Sequence, residues 1–274
     1  MPELFSVLPP AKSLKVLLDH LPELVRTESV ITANALDRVL AESLAAPSAL
    51  PSFPRSTVDG YAVRAADTFG ATESLPAYLA VSGEAPMGCA PKVTVGPAQA
   101  AVVYTGGMIP AGADAVVMVE RTQKLDANNI EVLRAVAPGE NVIQVGEDVK
   151  EGEPLLGPGH VLRPQDIGGL MALGITEVKV AAKPRVAIVS TGDEVVPPDA
   201  VPGPGQVRDV NTYPVAGLVA RAGGVPLPQG IIPDDFDALF SAARQGLDAA
   251  DALVISAGSS VSTRDLTADV VQKL

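Results

Sequence analysis

The residues best suited to chemistry stand just past three short apolar runs. Val186–Ser190 breaks into Thr191-Gly192-Asp193-Glu194. Val225–Ile232 ends in Pro233-Asp234-Asp235, and Ala252–Ile255 ends in Ser256-Ala257-Gly258-Ser259-Ser260. Two carboxylates, a hydroxyl and a glycine in the first turn are groups that hold a ligand. The other two turns deliver acidic and small polar residues of the same kind. One acidic turn is most simply solvated surface, whereas three that converge on one edge define a candidate site.

A parallel sheet is what would bring them together. A short apolar run bounded by turn residues reads as a strand buried on both faces, and ligands of open parallel sheets bind just past the carboxyl ends of such strands. Thr212–Ala222 carries Val215, Leu218 and Val219 at helical spacing and stops at Gly223-Gly224, as helices commonly do at glycine. A second helix is expected from about Phe236 to Leu247, with Leu239, Phe240 and Ala243 on one face. The order β-α-β-α-β with short connections predicts parallel strands joined by right-handed crossovers. Asp193 or Glu194 could also cap the segment that follows, and Asp234 or Asp235 the helix opening at Phe236, since aspartate is a preferred N-cap.

Upstream, helices are expected over Ala11–Leu21 and Thr32–Ala46, packed on something later because two helices alone make a poor core. From about Leu50 to Val142, short β-prone runs alternate with Gly and Pro turns: Tyr61–Val63, Ala77–Ser82, Val93–Val95, Ala101–Thr105, Ala115–Glu120 and Ile130–Val132. That pattern predicts a small, mostly antiparallel β domain. Pro164 suits the first turn of a helix that runs to Leu173 and closes on Gly174, after which Val178–Ala181 leads into the α/β unit. The chain thus reads as multidomain, α+β and α/β. A linker domain takes residues 1–46 with 143–177, an inserted β domain takes 47–142, and a doubly wound parallel α/β domain takes 178–274. Three strands make an incomplete sheet of this kind, so a longer natural chain is expected.

Composition narrows the function. The 274 residues, 47% of them hydrophobic, suffice for a real core and for more than one domain. A net charge of −12 opposes general affinity for nucleic acid or an anionic membrane. With no tryptophan, four tyrosines and five phenylalanines there is little material for base stacking. No apolar run approaches about 20 residues, so no membrane span is expected, and the N-terminus lacks the features of a signal peptide. The single cysteine, Cys89, excludes an internal disulfide framework, and His20 and His160 are too far apart in sequence to suggest zinc. Both common glycine-rich phosphate loops are missing, which argues against a generic nucleotide-binding protein. These features fit a cytoplasmic protein.

Several segments together carry a family resemblance: Leu50–Val63 (LPSFPRSTVDGYAV), Val103–Thr122 (VYTGGMIPAGADAVVMVERT), Gly146-Glu147-Asp148, Ser190–Glu194 (STGDE), Gly230–Asp235 (GIIPDD) and Ser256–Asp265 (SAGSSVSTRD). In that order they resemble the molybdopterin molybdenumtransferases, the family of bacterial MoeA and the gephyrin E domain, over essentially the whole chain. The resemblance implies insertion of molybdate into adenylylated molybdopterin with release of AMP, assisted by Mg2+. It implies an elongated homodimer whose cleft joins the α/β domain of one subunit to the β domain of the other. Residues 1–46 with 143–177 then form a linker and dimerisation domain, and 178–274 a molybdopterin-binding domain. A molybdopterin adenylyltransferase and molybdoenzyme maturation proteins become candidate partners.

The resemblance also assigns residues. Glu194, Asp234 and Asp265 match the metal-binding, catalytic carboxylates, with Asp193 and Asp235 adjacent. Ser190, Thr191, Gly192 and Asp193, with Ser256, Gly258 and Ser260, match the substrate loops. Asp59 and Thr105 match positions lining the same cleft from the partner subunit, and Asp148 a further acidic position. The residue types agree: a hard divalent cation takes carboxylate and water oxygens, and a small-residue loop at a helix start receives an anion on its N–H groups. Plainer readings stand beside these, with Gly60 and Gly106 as turn glycines, Tyr61 as packing, Cys89 as a small loop residue and His160 as structural.

The chain departs from the family pattern where Ala257 and Ser262 replace glycines, and Ala257 and Ser259 are similar to divergent relatives sometimes fused to a periplasmic-type substrate-binding domain. Pro54 replaces an acidic residue. The family's Pro-Gly-Lys-Pro segment and C-terminal β domain would fall after Leu274, so these residues read as a truncated chain with weak turnover by itself. The alternative function is a non-catalytic molybdopterin-binding paralogue or scaffold.

Overall fold

The computed structural model describes residues 8–21, 26–256 and 266–274. The chain opens with helix α1 (Pro10–His20) and strand β1 (Thr27–Ile31). Among the strands that follow, six form one sheet: β2 (Gly60–Val63), β3 (Ala77–Glu84), β4 (Gln99–Val103), β5 (Ala115–Met118), β6 (Thr122–Lys124) and β7 (Asn129–Val132). Helix α2 (Pro164–Ala172) and strand β8 (Glu177–Ala181) lead to β9 (Arg185–Thr191), α3 (Thr212–Arg221), β10 (Val225–Ile232), α4 (Phe236–Ala249), β11 (Ala252–Ser256) and α5 (Thr267–Lys273). The chain divides into two compact units. One holds Met1–Ala41, Gly159–Ile167 and Thr176–Leu274, and the other holds Glu42–Pro158 and Gly168–Ile175.

In the first unit the expected β-α-β-α-β segment forms a three-stranded parallel sheet in the order β10-β9-β11. Ala187, Ile188 and Val189 of the central strand are fully buried, which explains a continuous apolar run rather than an alternating one. Leu239 and Ala243 of α4 pack with Val189 and with Val270 of α5. A Cβ on Gly246 would meet the Ala187 Cβ at 3.0 Å, so glycine lets α4 lie close to the sheet. β10 is an edge strand, and only there are Pro226 and Pro228 tolerable.

The helix expected over Thr32–Ala46 does not form. A 3-10 turn spans Thr32–Asn34, Asp37 has φ 60°, and Leu40 and Ala41 donate their N–H groups to the carbonyls of His160 and Lys179. Distant β-type partners take the backbone groups that a helix would have used. Ahead of it, β1 pairs antiparallel with β8 from Thr27 opposite Ala181 to Ile31 opposite Glu177, a strand the sequence did not suggest.

The second unit is built on a six-stranded sheet in the order β5-β2-β4-β3-β7-β6. Every pair is antiparallel except β3 with β4. Its two faces are both covered: Tyr61, Val63 and Val117 join one apolar cluster, and Ala62 and Val116 another, as the two-residue period of a strand requires. The strand expected at Val93–Val95 is reduced to a single bridge between Thr94 and Ala111.

Candidate functional site

The carboxyl end of β9 opens on a cavity of about 140 Å3 whose polar wall comprises Ser190, Thr191, Glu194, Arg208, Asp209, Asn211 and Ser256. Ser190 and Thr191 are the last residues of the strand and are buried. Gly192 then turns the chain at φ 139°. A Cβ at this glycine would lie 2.7 Å from Val195 Cγ2 and 3.0 Å from both Glu194 carboxylate oxygens. The Glu194 carboxylate is therefore folded back over Gly192, in space that only glycine leaves free. Its backbone is pinned as well: Val207 N–H donates to the Glu194 carbonyl at 2.8 Å, and Val195-Val196 pairs in parallel with Val207-Arg208.

The three strand-end loops are tied to one another. Gly192 N–H donates to the Ile232 carbonyl at 3.2 Å, and Asp234 N–H donates to Asp193 Oδ1 at 3.1 Å. Asn211 Nδ2 donates to Ser256 Oγ at 2.9 Å. The two adjacent aspartates separate in role. Asp235 caps α4, accepting from Ala238 N–H at 2.9 Å, while the Asp234 side chain stays on the exposed surface of the loop.

Asp209 and Asn211 are wall residues the sequence did not single out. Asp209 Oδ1 accepts from the N–H groups of Asn211 and Thr212 at 3.1 and 3.2 Å. Burial opposes its charge, yet the Thr212 hydroxyl, these two N–H groups and the Ser190 hydroxyl together hold its pKa below the usual carboxylate value. The Thr212 hydroxyl is buried and makes no hydrogen bond of good geometry, so the fixed contacts to Asp209 are the two N–H groups. The clue in the sequence was an Asp and an Asn just ahead of a helix, a pattern indistinguishable from ordinary capping.

In the second unit, Asp59 Oδ1 accepts from both Thr105 N–H and Thr105 Oγ1 at 2.8 Å. The backbone bond, then the side-chain bond, lower the Asp59 pKa. Beside them Tyr104 is held above its ordinary pKa, chiefly by its hydrogen bond to Glu84. The loops carrying these residues are joined by Ser56 N–H to Gly107 carbonyl and Gly106 N–H to Ser56 carbonyl, at 2.9 and 2.8 Å. Arg55, on the same loop, stands 3.6 Å from Asp148. The structure thus brings Asp59, Thr105 and Asp148 to one loop cluster. Gly106, at φ 80°, is a turn glycine. Gly60 serves packing, because a Cβ there would fall 2.0 Å from the Val117 carbonyl oxygen. Tyr61 belongs to the core, and Cys89 is exposed. In the first unit, His160 is structural: its Nε2 meets Asp166 Oδ2 at 2.7 Å.

Asp265, Gly258 and Ser260, and the departures Ala257 and Ser262, lie outside the described residues. Among the described residues no three His, Cys, Asp or Glu side chains are gathered so as to hold a metal ion, so Glu194 and Asp234 alone do not form a complete set. No helix among the described residues is long and apolar enough to cross a membrane.

A parallel sheet with acidic and hydroxyl-bearing strand-end loops is thus joined in one chain to a β-rich unit with its own fixed carboxylate. Comparison with known proteins identifies this combination. Residues 8–174 match the family described as "MoeA N-terminal region (domain I and II)", and residues 187–274 match that described as "Probable molybdopterin binding domain". The chain belongs to the MoeA family. It is 35% identical to the molybdopterin molybdenumtransferase of Bacillus subtilis over 93% of this chain and 60% of that protein. It is 37% identical to the enzyme of the same name from Nostoc sp. over 90% and 57%. A crystal structure of the molybdopterin biosynthesis MoeA protein from Pyrococcus horikoshii matches with a TM-score of 0.86 and 40% identity, covering 91% of this chain and 66% of that one. The chain spans 57–60% of the length of these two curated relatives.

Proposed function

We propose that this chain acts in molybdenum cofactor biosynthesis, inserting molybdate into adenylylated molybdopterin with release of AMP. The observation that carries this reading is the Glu194 carboxylate, folded over Gly192 at the edge of a strand-end cavity whose polar wall also holds hydroxyls, the Asn211 amide, the Asp209 carboxylate and Arg208. Relatives of matching sequence are named molybdopterin molybdenumtransferase. Ser190, Thr191 and Ser256 offer hydroxyls to the substrate. The oxygen donors of this edge fit a hard divalent cation: Glu194 and Asp234 would hold Mg2+, with Asp265 the third carboxylate. A cation held there would supply neutralisation of the charge on phosphoryl oxygens.

Asp59, oriented by Thr105, and Asp148 would face the same substrate from a second copy of the chain. Helix α1 supports self-association, since it buries no residue of its own and exposes Leu14, Leu17 and Leu18. A molybdopterin adenylyltransferase would supply the substrate, molybdoenzyme maturation proteins would receive the product, and the cytoplasm is the expected compartment. The non-catalytic alternative rested on Ala257 and Ser262, and no described residue favours it. The test is AMP release from adenylylated molybdopterin by a protein carrying this chain, with and without molybdate and Mg2+. Release that requires both supports the proposal, and no release with both supplied contradicts it.

A further inference from the structure

The strand-end cavity contains a buried carboxylate that the proposed chemistry leaves without a task. Asp209 is 8% exposed. Its N–H donates to the Val196 carbonyl at 2.9 Å, which extends the short strand pair that pins Glu194. Its Oδ1 fixes the N–H groups of Asn211 and Thr212. Asn211 in turn holds Ser256 Oγ at 2.9 Å. Ser190, 3% exposed, lies against the same carboxylate. From this one side chain, contacts run directly to Ser190 and Asn211, and through Asn211 to Ser256.

We propose that Asp209 is a positioning residue for the ligand of this cavity: it holds Ser190 and the Asn211–Ser256 pair so that their hydroxyl and amide groups stay turned to the bound substrate. The inference rests on reading the cavity as the molybdopterin site. The competing account is that Asp209 only caps α3. The two differ in what substitution does. Asn and Ser are caps about as good as Asp. Asn, however, replaces one carboxylate oxygen by an amide donor, and Ser is too short to reach both the α3 backbone and Ser190. Capping survives either change, and with it the Asn211–Ser256 arm that depends on the same N–H bond, whereas the hold on Ser190 does not.

The experiment is to titrate the chain and its D209N, D209S, S190A and D209N/S190A variants with adenylylated molybdopterin, following thermal unfolding of each in parallel. The expected result is that D209N and D209S unfold within about 4 °C of the parent, an amount that about 1 kcal/mol produces in a chain of this size. Both should bind about tenfold more weakly, the loss expected when a charged hydrogen-bond partner is removed. The double variant should bind little worse than D209N, because Asp209 acts in part through Ser190. Affinity within twofold of the parent for both D209N and D209S overturns the inference. So does a loss of binding that merely tracks the loss of folded protein in both. If the parent chain does not bind at all, the reading of the cavity falls, and the positioning role falls with it.

Discussion

The carboxylate of Glu194 lies across Gly192, with both its oxygens 3.0 Å from where a Cβ on that glycine would stand. The glycine sets the place of the carboxylate, and the φ of 139° makes any side chain strained there as well. Gly192→Ala is expected to cost about 1–3 kcal/mol of stability and to impair turnover by displacing Glu194. Glu194→Gln, on an exposed side chain, is expected to leave the melting temperature unchanged and remove turnover. Melting curves and AMP-release assays on the two variants check this. A fully active Gly192→Ala protein would show that the contact has no functional meaning.

Thr105 lowers the Asp59 pKa through two bonds, of which the backbone one is the larger. Thr105→Val removes the hydroxyl and keeps the N–H. The Asp59 carboxyl should then titrate higher than in the parent chain, while staying below about 3.9, the value of an unperturbed aspartate. NMR titration of the Asp59 side chain reads this directly. An unshifted midpoint would mean that the hydroxyl contributes nothing to holding the charge.

Asp166, whose side chain is 7% exposed, accepts from Arg163 Nε and N–H at 2.9 Å and meets His160 at 2.7 Å. The Arg163 side chain is the main cause of a strongly lowered pKa, against the opposing effect of burial, with His160 and the Arg163 N–H adding to it. A carboxylate depressed in the folded state contributes stability above its unfolded pKa of about 3.9, and that stability is lost as the pH falls through the lower folded value. Asp166→Asn should therefore cost about 2 kcal/mol near neutral pH, and the difference should narrow below about pH 3.9. Denaturant curves at several pH values test the sign, and a gap that widens on acidification would contradict it.

Gly60 stands with its missing Cβ 2.0 Å from the Val117 carbonyl oxygen. Carbonyl oxygen of a central sheet cannot move aside cheaply, so Gly60→Ala should destabilise the β-rich unit by at least the ~1–3 kcal/mol typical of overpacking. Protease resistance of that unit, compared between parent and variant, would reveal it. Equal resistance would mean that β2 and β5 can part without loss.

The α/β half was legible because its signals are local: Ala187–Val189 is continuously apolar, Asp235 precedes a helical spacing, and turn residues close each strand. The stretch from Thr32 to Ala46 was not legible, because its Leu36, Val39, Leu40 and Leu44 spacing imitates a helix while its N–H groups serve carbonyls far along the chain, at His160 and Lys179. The parallel pairing of β3 with β4 was hidden for the same reason, since partner choice is not written in either strand. At the site, strand-end position singled out Ser190, Thr191 and Glu194, which line one cavity. It could not separate Asp234 from Asp235, of which only Asp235 accepts from the Ala238 N–H, nor did it single out Asp209, whose place ahead of a helix reads as ordinary capping.

The measurement that bears most directly on the molecule's role is AMP release from adenylylated molybdopterin by a protein carrying this chain, compared with its Glu194→Gln variant. Release that needs both molybdate and Mg2+ and disappears with Glu194→Gln is the predicted result. No release with all components supplied, or equal release from the variant, would contradict a role in molybdenum insertion centred on Glu194.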